Sequence, residues 1–493
     1  MKSIRNIVIL FIVFQSVLFA ANPFPKATPE SQGISSAAIL QFLDRAEAEL
    51  DALHSVMIIR HGQNIAQGWW YPYSADKRHM LFSLSKSFTS TAIGMAIDEG
   101  LLSLNDTVIS FFAEETPENP SDHLKAMRVR DLLAMNSGHQ EDTTNRLGKD
   151  PNKTWVQEFL SLDVEHKPGT HFVYNSGATF MLSAILQKVT GQTVLDYLTP
   201  RLFEPLGIED PIWESNPQGI NFGGWGLSVK TEDIAKLGQL YLQKGEWNGK
   251  QLISKWYVEK ATSRQTSNGS NPESDWEQGY GYQFWMCRHG LYRGDGAFGQ
   301  YCIVMPEQDA VVAITSGVSD MQAVMNLVWD TILPAMKSDP LTENPAVQKK
   351  LEDRLANLNL KMPEGQLTSP LMTKISAKTY VFDENDEGLL SVKIDSEKDK
   401  LVLTIKNQHG VHAINCGLGS WELGETILNS PTPQRIGTSG AWATADDLKV
   451  TLCNYETPFC TLFDVRFIND EMHMTARTNV YPGNPQELVG KMK

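Results

Sequence analysis

A serine hydroxyl becomes a nucleophile when a neighbouring base takes its proton, and a lysine one helical turn further on is one way to supply that base. Two Ser-x-x-Lys tetrads occur in the 493-residue sequence, Ser74-Ala-Asp-Lys77 and Ser83-Leu-Ser-Lys86. About two are expected from composition alone, so context has to separate them. Ser74 lies in a polar stretch behind Tyr71, Pro72 and Tyr73 and reads as a surface turn. Ser83 opens a segment in which Phe88, Ala92, Ile93, Met95, Ala96 and Ile97 leave little of the helix polar before Asp98. A helix that is apolar nearly all round is buried, which would put its first turn where core meets cleft. Positions i and i+3 share a helical face, so the Lys86 amine would reach the Ser83 hydroxyl. Helix N-terminal N–H groups stabilise an oxyanion, and desolvation favours the neutral amine that accepts a proton. The competing reading makes Ser83 an N-cap and Lys86 a snorkelling side chain.

The elements that must position this pair follow from patterning. A hairpin of residues 55–60 and 67–71 turns at Gly62, and late strands are expected at 282–287, 299–305 and 310–315. Helices are expected over 83–99, 129–135, 178–190, 231–243 and 321–333, with Gly100, Gly191 and Gly245 as stop signals. Strands at both ends with helices between them argue for an α+β domain. Pro340 and Pro345 in a polar stretch read as the start of a linker. Beyond residue 377 short alternating strands (389–394, 400–405, 449–453, 461–467 and 472–476) imply an antiparallel barrel or sandwich. The expected organisation is a leader at 1–21, a catalytic domain at 22–336, a linker at 337–376 and a β-rich domain at 377–493.

The stretch Phe82-Ser-Leu-Ser-Lys-Ser-Phe-Thr-Ser-Thr91 resembles the SxxK segment of the serine β-lactamase and penicillin-binding-protein superfamily, in its class C-like branch. Further pieces follow in that family's order: Val129 to Gly138, Pro168 to Gly177 with Tyr174, Gly223 to Ser228, and Gly294 to Tyr301. The resemblance spans residues 31–336. It implies a β-lactamase-like fold, an antiparallel sheet flanked by helices plus a helical region, with the antiparallel β domain behind it. It also implies Ser83, Lys86 and Tyr174 as catalytic residues. A phenol near an ammonium is expected to have its pKa lowered and to relay a proton to the leaving group. Oxyanion and substrate contacts would come from Asn175, Ser176, Gly294, Asp295, Gly296 and Ala297. Two departures stand out. The family's β-lactamases and peptidases usually carry Asn where Ser176 stands here. Their third motif usually begins with Lys or His, whereas Gly294-Asp295-Gly296 has no base at its head. Arg293 is a candidate replacement for pairing a substrate carboxylate, against a solvated strand-end residue. Both departures favour an ester, amide or peptide-like substrate over a penicillin.

A net charge of −15 disfavours nucleic acid as a partner. Lys2 and Arg5, an apolar run to Phe19, then Ala20 and Ala21 read as an export signal, implying a periplasmic or secreted protein with no membrane span after cleavage. Five cysteines are too few for a disulfide scaffold, although Cys453 with Cys460, and Cys287 with Cys302, are candidate pairs in an oxidising compartment. Metal-ligand spacings are absent, so neither metal nor cofactor is expected. Without a Gly-x-Ser-x-Gly elbow, an α/β-hydrolase is disfavoured. The rivals to an exported acyl-enzyme hydrolase of small or peptide-like substrates are a silent cell-wall or glycan binder retaining the fold, and a DD-peptidase or β-lactamase.

Overall fold

The computed structural model describes residues 24–397, 400–428, 430–480 and 483–493. The expected leader at 1–21 lies outside these residues. Six strands form one antiparallel sheet in the order Gln63–Trp69, Leu53–Arg60, Ala310–Ser316, Gln300–Met305, Tyr292–Gly296 and Trp285–Met286. The first hairpin turns through His61 and Gly62, both in the left-handed region with φ of 50° and 70°. That geometry matches the right-handed twist of the flanking strands. Leu53–Arg60, Gln300–Met305 and Ala310–Ser316 are buried along their whole length. Strands covered on both faces need apolar residues on both, which accounts for runs such as Val311-Val-Ala-Ile314. One face packs against the helices Ser85–Asp98, Ser176–Thr190 and Thr231–Leu242. The other packs against Ser36–Glu49 and Met321–Leu327.

Two expectations need correction. The stretch read as a linker contains a helix, Pro345–Ala356, capped by Asn344. Its Leu351 is buried in the second core, and Arg354 pairs with Glu47 on the first helix. A single buried residue in an otherwise polar segment leaves little periodic signal. The third motif leads into a strand as expected, Gln300–Met305, and its Gly294 to Gly296 also end a strand of their own, Tyr292–Gly296, which the sequence does not mark because glycine disfavours strands. Cys287 and Cys302 do not face each other: they belong to the cores on opposite sides of the sheet.

The C-terminal unit is a barrel. Nine strands, Thr379–Phe382, Leu389–Glu397, Lys400–Asn407, Gly410–Leu418, Gln434–Trp442, Asp447–Cys453, Cys460–Ile468, Glu471–Thr478 and Leu488–Met492, close into a ring. An odd number of alternating strands must meet in parallel once, and here Gly417 and Leu418 pair in parallel with Ser439 and Gly440. The short strand Glu422–Thr426 extends the same edge. Inward residues such as Val392, Ile394, Leu403, Ile405, Val450 and Val465 fill the ring. Gln434–Trp442 escaped the sequence reading because its buried positions include Gly437, Thr438, Ser439 and Gly440, which hide the alternation.

Candidate active site

A small sheet of His79–Met80, Leu227–Val229 and Ile212–Trp213 delivers Ser83. The Leu81 N–H donates to the Leu227 carbonyl at 2.9 Å. The chain then makes one 3-10 turn, Phe82–Leu84, and continues as the helix Ser85–Asp98. The α-helix therefore begins two residues later than the sequence suggests. Ser85 holds the turn, donating its hydroxyl to the Phe82 carbonyl at 2.6 Å and accepting the Leu227 N–H at 3.2 Å. Neither helical start has a side-chain cap, so the Ser83 hydroxyl is not spent as one. The Ser74 tetrad is a surface turn in which Ser74 and Lys77 both bond Asp76.

Lys86 is 1% exposed, which excludes snorkelling. Its three ammonium protons meet three acceptors: Ser83 Oγ at 2.9 Å, Ser176 Oγ at 2.9 Å and the Gly224 carbonyl at 2.8 Å. Among the described residues no carboxylate touches it. Burial lowers its pKa to about 7, partly opposed by the more distant charges of Asp142 and Asp295. Near neutral pH the amine is thus half deprotonated while pointing at Ser83, the state a general base requires.

Tyr174 is the last residue before Asn175, which caps the helix Ser176–Thr190. Its ring stacks on Trp285 at 5.2 Å, and Lys86 Nζ lies 4.7 Å from its centroid. The expected lowering of its pKa is not found. Burial raises it, and the Asp295 carboxylate raises it further by repelling the phenolate, which together outweigh the lowering by the Ser83 hydroxyl. Tyr174 is a neutral phenol at working pH.

The remaining site residues divide. Ser176 is in the cleft, on Lys86. Asn175 is not: fully buried, its Oδ1 accepts from Ala178 N–H and from Thr143, and its amide points at Ser137. Gly294 and Gly296 let their strand pass directly behind the Ser83 turn. A Cβ on Gly294 would stand 2.5 Å from Leu84 Cδ1, and one on Gly296 would collide with the Leu81 carbonyl. Ala297 follows Gly296 in the chain, and its carbonyl accepts from the Gln300 amide at 3.0 Å. Asp295 is buried and ion-paired to Arg293 at 2.7 Å. Arg293 is completely buried between Trp276 and Trp285 and also donates to the Asp275 carbonyl. It is neither a solvated strand end nor free to pair a substrate carboxylate, because its charge neutralises Asp295.

Two contributors escaped the sequence reading as site residues. Gly224 supplies the carbonyl that holds Lys86, and a Cβ there would crowd the Ser176 carbonyl at 3.0 Å. The Gly-Gly-Trp-Gly run was a visible signal for such an approach. Asp142 accepts the Ser176 N–H at 3.1 Å; it carries no motif. Groups of His, Cys, Asp and Glu arranged to hold a metal are absent among the described residues.

The family model described as Beta-lactamase matches residues 39–329. The 6-aminohexanoate-dimer hydrolase of Paenarthrobacter ureafaciens is 25% identical over 317 residues, 60% of this chain and 80% of that protein. Protein flp of Staphylococcus aureus (strain MW2) is 26% identical over 31% of this chain and 33% of its own. Among solved structures, a putative 6-aminohexanoate-dimer hydrolase from Bacillus anthracis superimposes with a TM-score of 0.53 at 20% identity, over 64% of this chain and 88% of that one.

Proposed function

The chain belongs to the β-lactamase family of serine hydrolases, which act on amides and esters, and from that premise we propose that it hydrolyses a linear amide or ester through a Ser83 acyl-enzyme. The observation that carries this reading is the buried Lys86 amine, with its pKa near 7, 2.9 Å from Ser83 Oγ. Neutral Lys86 takes the Ser83 proton as Oγ attacks the carbonyl carbon. The negative charge that develops on the carbonyl oxygen is met by the N–H groups of Ser83 and Ala297. Collapse of the tetrahedral intermediate expels the amine or alcohol, which receives a proton from the Tyr174 phenol; Lys86 re-protonates Tyr174 across the site. Water, deprotonated by the same groups, then attacks the acyl-enzyme and releases the acid.

The substrate class rests on two observations. Arg293 is sealed and neutralised, so the position from which a cation would read a β-lactam carboxylate offers none. The similarity to a 6-aminohexanoate-dimer hydrolase supports a linear amide. We also propose export, on the strength of the leader pattern at residues 1–21; recovery of the protein in the cytoplasm alone, with Met1 intact, would refute it. The hydrolase reading is tested by mass spectrometry of wild type and Ser83→Ala after exposure to a fluorophosphonate. A single phosphonyl adduct on Ser83 is expected, absent in the variant; equal labelling of both removes Ser83 as nucleophile.

A further inference from the structure

One hairpin of the barrel reaches toward the nucleophile of the catalytic domain. The strands Asp447–Cys453 and Cys460–Ile468 are joined by a six-residue loop whose root and tip are both seated on the other unit. At the root, Cys453 and Cys460 stand directly opposite each other, and the Cys453 thiol donates to the Tyr73 hydroxyl at 3.4 Å. Tyr73 in turn stacks on His54 at 3.8 Å. At the tip, successive backbone carbonyls are all taken. Glu456 accepts the Met80 N–H at 2.8 Å, and Thr457 accepts the Tyr73 hydroxyl at 2.8 Å. Pro458 accepts the Asn479 amide at 2.9 Å and presses so closely on Gly317 that a Cβ there would stand 2.5 Å away. A loop held at every step is a rigid part of a site rather than a tether.

Its last residue, Phe459, completes an aromatic trio. Phe459 meets Phe82 at 6.0 Å and 88°, and Phe298 at 5.2 Å and 68°; Phe82 and Phe298 meet each other at 5.1 Å and 81°. All three pairs are edge-to-face, the favoured arrangement of aromatic quadrupoles. Phe82 immediately precedes Ser83, and Phe298 immediately follows Ala297. Both are held at positive φ, 49° and 67°, a region bulky residues avoid and retain only where surrounding structure over-determines it. All three rings are half-exposed. The result is an apolar wall whose Phe82 adjoins Ser83 and whose Phe298 adjoins Ala297 in the chain. Phe459 lies outside the matched family region of residues 39–329, so this part of the wall is added by the barrel.

We propose that Phe459, from the barrel, joins Phe82 and Phe298 to form the surface that receives an apolar chain on the substrate, making the barrel hairpin a determinant of specificity. This inference rests on the Ser83 acyl-enzyme reading. A substrate with several methylenes beside its scissile carbonyl would lay them on this wall, each buried CH₂ strengthening binding about fourfold at most.

The test uses the full chain and a series of alkyl fluorophosphonates from ethyl to octyl, comparing second-order rates of Ser83 labelling. Wild type is expected to prefer octyl over ethyl, and Phe459→Ala to lower that octyl-to-ethyl ratio about tenfold, the loss of roughly two buried methylenes. Phe459→Leu, which keeps an apolar surface, restores the ratio to within about threefold of wild type. Circular dichroism and thermal denaturation establish that both variants fold. Should Phe459→Ala fail to fold, the Leu variant against Phe459→Ser reads the same ratio. An unchanged ratio in a folded variant overturns the inference, as does an equal fall for both probes, which would make Phe459 only a support for the Ser83 turn. Absence of Ser83 labelling by every member of the series overturns the acyl-enzyme reading itself, a separately visible outcome.

Discussion

The pH dependence of acylation offers the sharpest test of how Lys86 works. Burial moves its pKa from 10.5 to about 7, a differential of about 5 kcal/mol against the charged form. Only the neutral amine accepts the Ser83 proton, so the acylation rate follows the neutral fraction. With a pKa of about 7 that fraction is about one half at pH 7, about one eleventh at pH 6 and about one hundredth at pH 5. The acylation rate should therefore fall roughly fivefold from pH 7 to 6 and a further tenfold to pH 5, and level off above pH 8. The perturbation is Asp142→Asn. Asp142 favours the ammonium electrostatically and accepts the Ser176 N–H through Oδ1, an acceptor that Asn retains. Removing its charge moves the inflection to lower pH while leaving the plateau in place. The assay is the fluorophosphonate labelling rate at matched ionic strength from pH 5 to 10, with single-turnover ester acylation alongside. An inflection above pH 9, as for an ordinary lysine, would refute the argument. So would a shift of the Asp142→Asn profile toward higher pH.

The same group has a stability signature. An unfolded lysine keeps its proton to about 10.5 whereas folded Lys86 loses it near 7, so the folded state binds fewer protons in that window and stability rises with pH through it. Lys86→Met is expected to be inactive yet more thermostable than wild type, with a larger advantage at pH 6 than at pH 9; a variant less stable at both would contradict the burial cost. Asp295→Asn strips the anion from the fully buried Arg293 and should cost about 3–5 kcal/mol in denaturant unfolding. The double variant Arg293→Met with Asp295→Leu should recover most of that loss. Gly296→Ala drives a methyl into the Leu81 carbonyl at the head of the Ser83 turn; labelling of Ser83 should slow about hundredfold while the melting temperature falls only modestly. All five cysteines are buried, so Ellman's reagent should modify none in the native protein, and one fast-reacting thiol would contradict the packing.

The chain alone singled out, through local facts, the residues on which the proposed chemistry rests. The apolar run behind Ser83 separates it from Ser74, and three residues of helix bring Lys86 to its hydroxyl. The ordered segments around Tyr174 and Gly294 to Tyr301 place both within one fold, and period-two alternation marks the barrel. These signals are legible because each depends on neighbours in sequence or on a pattern a few residues long. What surrounds the nucleophile depends on contacts between distant segments, and there the tertiary structure decided. Whether Tyr174 is acidic or neutral turned on its burial and on the Asp295 carboxylate brought near it from a distant strand. Arg293 carries one charge in any sequence reading, yet burial beside Asp295 removes it from the cleft. Asn175 and Ser176 are adjacent, and only helix geometry turns one into a cap and the other toward Lys86. Phe459 shows the limit most plainly: 376 positions separate it from Ser83, and no local pattern encodes that the tip of a barrel hairpin packs against Phe82. The energy that fixes such a contact comes from burial shared by both units, which no single segment carries.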